Sequence, residues 1–360
     1  MKKHILMTAA ALILAACAVE QPQRPDTGAE TAVEPVAKTG MPHFNQSAAD
    51  SVATTGFNAN PNVQAFIDYQ VKHNGFSRNE LLSFFDNVAY KGNIINIMDR
   101  PGTSNPWYKF REGNAGAAKI AGGQRFYQQN RQVIDQAARQ YGVPAEIIVA
   151  IIGIETNYGR NTGSFRVADA LATLAFEYPR RSEFFQKELN ELLLMSREER
   201  EDPLSFTGSY AGAMGLPQFM PSSYRKWAVD ADGDSHRNIW GSIPDVAASV
   251  ANYMKAHGWQ SGGKVVVPVS LSITPELQAV LDEKTELKYS VGQLRQMGVT
   301  PMQTVADHER AILFRLETSP GVYEYFIGLH NFYTIWQYNH SRMYVTAVRD
   351  IANGVGAGGL

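Results

Sequence analysis

Glu155 closes a run at residues 146–159, EIIVAIIGIETNYG, in which every residue from 147 to 154 is apolar or glycine. A helix that is hydrophobic all round belongs in a core. Ile151 lies four residues before Glu155 and Ile148 seven, so the carboxylate continues an apolar face. Desolvation at such a place raises a carboxyl pKa and keeps the group protonated near neutral pH, which is what a general acid needs. The structural alternative is a buried glutamate paired with an arginine. A second cluster, Asp230-Ala231-Asp232-Gly233-Asp234-Ser235-His236, sets acids at positions 1, 3 and 5 of a calcium-binding loop. Ser235 stands where such a loop has its glycine, and Gly241 where it has its closing glutamate, so an ordinary loop of this kind is incomplete. The alternative here is a solvated acidic turn, against which stands the repulsion of three alternating acids without a cation.

The chain that must position these groups has 360 residues, 44% hydrophobic and 19% charged, with 33 Lys+Arg against 35 Asp+Glu. That suits two domains or one elaborated domain. A formal charge of −2 gives no general pull toward nucleic acid, so no nucleic-acid partner is expected. One cysteine excludes a disulfide framework and a cysteine-rich zinc site. That cysteine, Cys17, ends the segment MKKHILMTAAALILAAC, where Lys2 and Lys3 precede a short apolar stretch. The stretch is too short for the ~20 residues that span a bilayer as a helix, and its layout is that of an export signal. Its Leu-Ala-Ala-Cys ending resembles a bacterial lipobox, which implies a signal over 1–16 and lipidation of Cys17. The alternative is a plain signal cut nearby. Residues 17–56 are rich in Pro, Gln, Thr, Ala, Glu and Ser without apolar periodicity, a lipidated flexible tether. Ala18 rather than Asp after the cysteine resembles lipoproteins of the outer membrane. The expected location is therefore an outer-membrane lipoprotein facing the periplasm of a Gram-negative bacterium, held to the membrane through its N-terminal lipid.

Helical spacing runs through 61–90 with a break at Asn74-Gly75, and through 124–141 up to Tyr141-Gly142. Pro144 opens the next helix from a favoured first-turn position. Segments 169–174, 182–195 and 245–257 read as helices, as does 343–353. Between them the β-branched stretch 264–273, with 311–316 and 321–326, reads as a small antiparallel element inserted into a helical protein.

Three motifs in order give these elements a context. Glu155-Thr156-Asn157-Tyr158-Gly159 resembles the E-[ST]-x-x-G signature of lysozyme-like lytic transglycosylases. Residues 209–223, SYAGAMGLPQFMPSS, resemble their second signature, a glycine-rich turn running into Gln-Phe-x-Pro-Ser. Asn331-Phe332-Tyr333 and Tyr338-Asn339-His340-Ser341 resemble the third, which lines the saccharide cleft. From about residue 60 to the end the chain resembles the membrane-bound lytic transglycosylase B family, which cleaves bacterial peptidoglycan. The implied fold is mainly α: a lysozyme-like helical core, an additional helical region and the small β element. The expected boundaries are a helical region over 57–130, the catalytic core with its calcium-like loop over 131–263, the β element over 264–328, and a C-terminal segment over 329–360 that completes the core.

Ordinary glycosidases use two carboxylates, yet Asp169 and Glu177, the acids near Glu155 in number, sit in helical patterns that suit packing or surface roles. The resemblance resolves this. In the family one glutamate, here Glu155, protonates the glycosidic oxygen between MurNAc and GlcNAc. It then takes the proton of the C6 hydroxyl of that MurNAc, closing a 1,6-anhydro ring without a catalytic cofactor. Ser209 and Gln218 are expected as hydrogen-bonding residues around the acid. Tyr338 and Tyr344 are expected to present faces to sugar rings, with polar groups from Tyr338 and Asn339. Phe110, in Trp107-Tyr108-Lys109-Phe110-Arg111, stands where the family often has tyrosine, so the stacking surface remains without the hydroxyl. Arg180 and Arg181 are candidates for acidic peptide stems or N-acetyl carbonyls. The family's lengthened acidic loop implies structural Ca2+ held by Asp230, Asp232, Asp234 and the His236 backbone carbonyl, with Asp245 as closing acid. Peptidoglycan glycan strands are the implied partner, and cell-wall synthesis proteins are further candidates. The rival readings are a hydrolase of the same bond and a lipoprotein that only binds glycan.

Overall fold

The computed structural model describes residues 51–99 and 105–356, so Cys17, the signal and most of the tether lie outside the described residues. Two compact units emerge: residues 51–99 with 125–256, and residues 105–124 with 257–356. The helix Ala117–Tyr141 contributes to both, and its backbone leaves helical angles at Asn130 (φ −120°, ψ 18°). Among the described residues no single helix is long and apolar enough to cross a membrane.

The first unit is helical. Asn60 caps Pro61–Asn74 by accepting from two backbone N–H groups, and Gly75 ends it in the left-handed region (φ 66°). Ser77 and Glu80 form a reciprocal capping box that starts Arg78–Asn87. The inward rings of these two helices, Phe66 and Phe85, meet Phe57 and Phe176 in a cluster of mostly edge-to-face contacts at 5.8–6.4 Å. Ala145–Thr156 starts after Pro144, which stands as the N-cap, one position earlier than expected. The helices Val167–Glu177 and Ser182–Glu199, joined by the tight turn Pro179–Arg181, pack along each other. Pro221–Trp227 and Ile243–Ala256 complete the layer.

The second unit is built on a five-stranded antiparallel sheet. Its order is Tyr289–Ser290, Arg310–Ser319, Val322–Gly328, Val266–Ser270, Thr300–Pro301. Alternate residues of its strands, Val267, Val269, Leu313 and Ile327, meet Leu277, Leu281 and Leu294 of two short helices in one core. The three main strands fall where β-branching pointed. The short helices Pro275–Asp282 and Val291–Gln296 were not expected there, although Thr274 and Ser290 cap them through their side chains. Residues 329–356 group with this sheet rather than with the helical core assigned to them from sequence. The reason is local: His330–Tyr338 follows directly on a strand, the Phe332 ring lies tilted 5.0 Å from that of Phe314, and the Asn331 amide donates to Gln260 and Gly263 carbonyls.

Candidate active site

Every residue of Ala145–Thr156 is buried except its two carboxylates, Glu146 and Glu155. Glu155 is half-buried, less enclosed than the apolar run before it. The helix ends one residue later, and the chain leaves through consecutive left-handed residues, Asn157 (φ 51°) and Tyr158 (φ 61°). A non-glycine residue there costs about 1–2 kcal/mol, so strain sits beside the acid and its surroundings must hold it. They do so through Thr156, whose buried Oγ1 accepts the Gly159 N–H (3.0 Å) and lies 3.1 Å from the Ile152 carbonyl. Tyr158 folds its ring over Gly153, where a Cβ would lie 2.5 Å away, and burial raises the Tyr158 hydroxyl pKa. Asp169 and Glu177 are both committed elsewhere. Asp169 accepts from the Ala89 N–H and Arg166, and Glu177 accepts from the Val52 N–H and the Ser51 hydroxyl.

The glycine-rich turn lies in the same unit. The ribbon Phe165–Arg166 with Thr207–Gly208 continues through bridges from Gly208 to Met214 and from Met214 to Phe219. Ser209 Oγ accepts the N–H groups of Ala211 (3.3 Å) and Ala213 (3.0 Å), which leaves its O–H free to donate. Gln218 sits at φ 52°, and its amide nitrogen donates to the carbonyls of Thr162 (3.2 Å) and Gly215 (2.9 Å), which leaves Oε1 as an acceptor. Ser209 and Gln218 thus offer one donor and one acceptor, both pinned by backbone.

Sequence reasoning missed Glu188. It is 5% exposed on Ser182–Glu199 and accepts both the N–H (2.9 Å) and the hydroxyl (2.7 Å) of Ser222, in the first turn of Pro221–Trp227. Burial raises its carboxyl above the usual range, partly offset by the two Ser222 hydrogen bonds. The signal was present: Glu188 continues the stripe Phe185, Leu192, Met195 at helical spacing.

Of the remaining expected residues, Arg180 is exposed and 3.4 Å from Asp99, while Arg181 lies 4.2 Å from the Phe184 ring centre. In the sheet-bearing unit Phe110 stacks on Trp107 (6.1 Å), Tyr338 is half-buried and Asn339 is buried. Tyr344 is 0% exposed, which corrects the expectation of a face open to sugar. It lies on the inward side of Arg342–Val355 beside Val345 and Val348, with its ring parallel to that of Tyr338 at 6.5 Å.

Asp230, Asp232 and Asp234 bring one oxygen each to within 4.8 Å of one another. Two ligands across a calcium ion at about 2.4 Å each span that distance, so the hard-oxygen set fits the cation. The loop is shaped by its own carboxylates: Asp230 accepts the N–H groups of Gly233 (2.7 Å) and Ser235 (2.9 Å), and Asp234 that of His236 (2.8 Å). Asp245 does not join the three, contrary to expectation. Fully buried in the first turn of Ile243–Ala256, it accepts from the N–H groups of Ala231 (2.8 Å), Asp232 (3.3 Å) and Asn238 (2.7 Å), tying the loop's entry to its exit. Arg237 anchors the loop to Glu199, and the Ile239 carbonyl accepts the Leu216 N–H of the glycine-rich turn (2.9 Å). Ser235 has φ 75°, the left-handed geometry for which such loops keep a glycine. Ser235→Gly should therefore stabilise the protein by about 0.5–1 kcal/mol, the relief of strain exceeding the added chain entropy, read as a higher denaturation midpoint.

The Transglycosylase SLT domain family matches residues 58–353. The membrane-bound lytic murein transglycosylase B of Escherichia coli K12 is 39% identical over 98% of both chains. Among solved structures, the soluble lytic transglycosylase SltB1 of Pseudomonas aeruginosa superposes with a TM-score of 0.78 at 43% identity, covering 82% of this chain and 98% of that one. The Escherichia coli lytic transglycosylase Slt35 in complex with calcium gives a TM-score of 0.75 at 43% identity, covering 83% and 94%. With its motifs set on the helix end and the glycine-rich turn just described, the chain belongs to the lytic murein transglycosylase family.

Proposed function

We propose that this protein cleaves the MurNAc-β-1,4-GlcNAc bond of peptidoglycan and leaves 1,6-anhydro-MurNAc ends, with Glu155 as acid and then base. The observation that carries this reading is a half-buried carboxylate, Glu155, at the C-terminal end of an otherwise buried helix, while Asp169 and Glu177 are spent on structure. As the C1–O4 bond breaks, the Glu155 proton passes to O4 of the leaving GlcNAc. The resulting carboxylate takes the proton of the C6 hydroxyl, whose oxygen closes on C1. The nucleophile belongs to the substrate, so no second carboxylate or positioned water is required, and intramolecular attack gains effective molarities of ~10⁵ M or more. Ser209 O–H and Gln218 Oε1 are suited to hold the sugar's acceptors and donors. Mass spectrometry of digested sacculi tests the reading. Anhydro ends are expected, reducing ends would assign a hydrolase, and intact glycan a binding protein.

Calcium fits the loop as a structural ion held by Asp230, Asp232, Asp234 and the His236 carbonyl, with Asp245 serving the backbone. A cation that binds only the folded state stabilises it by about 2.7 kcal/mol at a hundred times its Kd. The melting temperature should rise with calcium over chelator, and that rise should shrink sharply in Asp234→Ala. Coincident scans of the unaltered protein would reduce the loop to an acidic turn. Cys17 as a lipid anchor on the outer membrane accords with the relative's membrane-bound name. It predicts that Cys17→Ser leaves the outer-membrane fraction, and retention there would refute the lipobox.

A further inference from the structure

The sheet-bearing unit contains a cleft of about 900 Å³ that includes none of the residues assigned above to catalysis or sugar binding. One face of Trp107–Ala115, the helix Arg342–Val355 and the strands Arg310–Ser319 and Val322–Gly328 line it. Within it Asp350, whose side chain is 13% exposed, is shared by two guanidinium groups. Arg349 donates from Nε (3.0 Å) and Nη2 (2.5 Å) to Oδ1, and Arg111 donates from Nε (2.9 Å) to Oδ2. One carboxylate thus answers two cations. Arg349 Nη1 and both Nη groups of Arg111 keep donors that no acceptor among the described residues engages. Glu112 and Glu324 line the same cleft, and neither forms an ion pair or side-chain hydrogen bond among the described residues. Trp107, Tyr108 and Phe326 supply apolar surface between these charges.

A simple anion entering this cleft meets two uncompensated carboxylates, and a simple cation meets the surplus guanidinium. A neutral sugar can hydrogen-bond to both kinds of group but neutralises neither charge. A ligand carrying a carboxylate and an ammonium on one short apolar frame answers both, since guanidinium forks favour carboxylates and charge-assisted bonds are the strong ones. We propose that the cleft binds the zwitterionic end of a diamino acid in the peptide stems of peptidoglycan, a second substrate contact apart from the bond cleaved. The choice of peptide rests on the proposed function, whereas the charge pattern does not.

The tripeptide L-Ala-γ-D-Glu-meso-diaminopimelate is the probe, titrated calorimetrically into the protein beside two derivatives, one with its side-chain amine acetylated and one with the adjacent carboxylate amidated. The parent should bind, and each derivative should bind at least tenfold more weakly. Glu324→Gln should weaken the parent about tenfold without further weakening the acetylated form, and Arg111→Gln should do the same with respect to the amidated form. Both residues are exposed, so the fold should survive, and both variants should cleave peptide-free glycan strands at the unaltered rate. No binding of the parent, equal binding of the acetylated form, or indifference to both substitutions would overturn the proposal. Failure of the unaltered protein to leave anhydro ends on intact sacculi would instead strike at the catalytic reading, since the peptide titration does not depend on it.

Discussion

Glu155→Gln is expected to lower the release of anhydro-muropeptides by about 10³-fold or more, while glycan binding and the melting curve stay near those of the unaltered protein. General acid catalysis is worth about 10²–10⁴-fold, and here one group is asked to act twice, donating to the leaving oxygen and accepting from the C6 hydroxyl. An amide can do neither, yet it has nearly the same shape. The helix beneath Glu155 is buried at every other position except Glu146, and its end is fixed by the Asn157 N–H donating to the Gly153 carbonyl (2.9 Å) and by Thr156, not by the Glu155 carboxyl alone. The check is chromatographic quantitation of anhydro products with a parallel binding isotherm on glycan strands. Residual turnover above a few per cent would move the proton-transfer role to another carboxylate. Loss of binding together with turnover would show that Glu155 is needed for structure, and the mechanism would fail.

How far this site was legible follows from what each residue depends on. Glu155 stands out as the candidate because the apolar run before it is unbroken and because Glu155-Thr156-Asn157-Tyr158-Gly159 resembles a family signature, both properties of the sequence alone. That the group is half-buried was not legible, because exposure at a helix end depends on where the chain goes next. Here it goes through two left-handed residues, neither of them glycine. The same stripe argument applies with more force to Glu188, which is buried, but its partner Ser222 is 34 residues away in sequence and only folding pairs them. Asp245 was read as a ligand from its sequence offset. Its three backbone N–H donors belong to the loop's entry and exit, so spacing alone could not separate the two roles. The long strands were legible from β-branching. Trp107–Ala115 falls within the helical region expected over 57–130, but its bounds were not legible, since it lacks a side-chain cap and carries Gly113 and Asn114 near its end. Its helical state reflects packing against Arg342–Val355 and Arg310–Ser319, which overrides weak propensity.

The buried acid missed from sequence carries the second large effect. Glu188→Ala should cost about 2–3 kcal/mol, from two hydrogen bonds at about 1–1.5 kcal/mol each and incomplete closure of the space left behind. For a domain of this size that is a fall of roughly 5–10 °C in melting temperature. Activity should fall further than unfolding alone explains, because Ser222 follows Gln218 by four residues and its N–H and hydroxyl are what Glu188 holds. With Ser222 released, Gln218 loses its fixed downstream neighbour, and kcat should drop more than KM rises. Glu188→Gln separates packing from charge: its amide oxygen can still accept the Ser222 N–H, so most stability and activity should return. The pH dependence gives an independent sign. Burial raises the Glu188 pKa above its unfolded value, so its contribution to stability is fullest below the ordinary carboxylate range and is lost as pH rises through the raised value. Glutamine does not titrate. The stability of Glu188→Gln relative to the unaltered protein should therefore increase with pH across that window, measured as denaturation midpoints in a buffer series. A difference that is flat in pH, or that runs the other way, would mean that Glu188 is held as a charged partner of Ser222 and not as a desolvated acid.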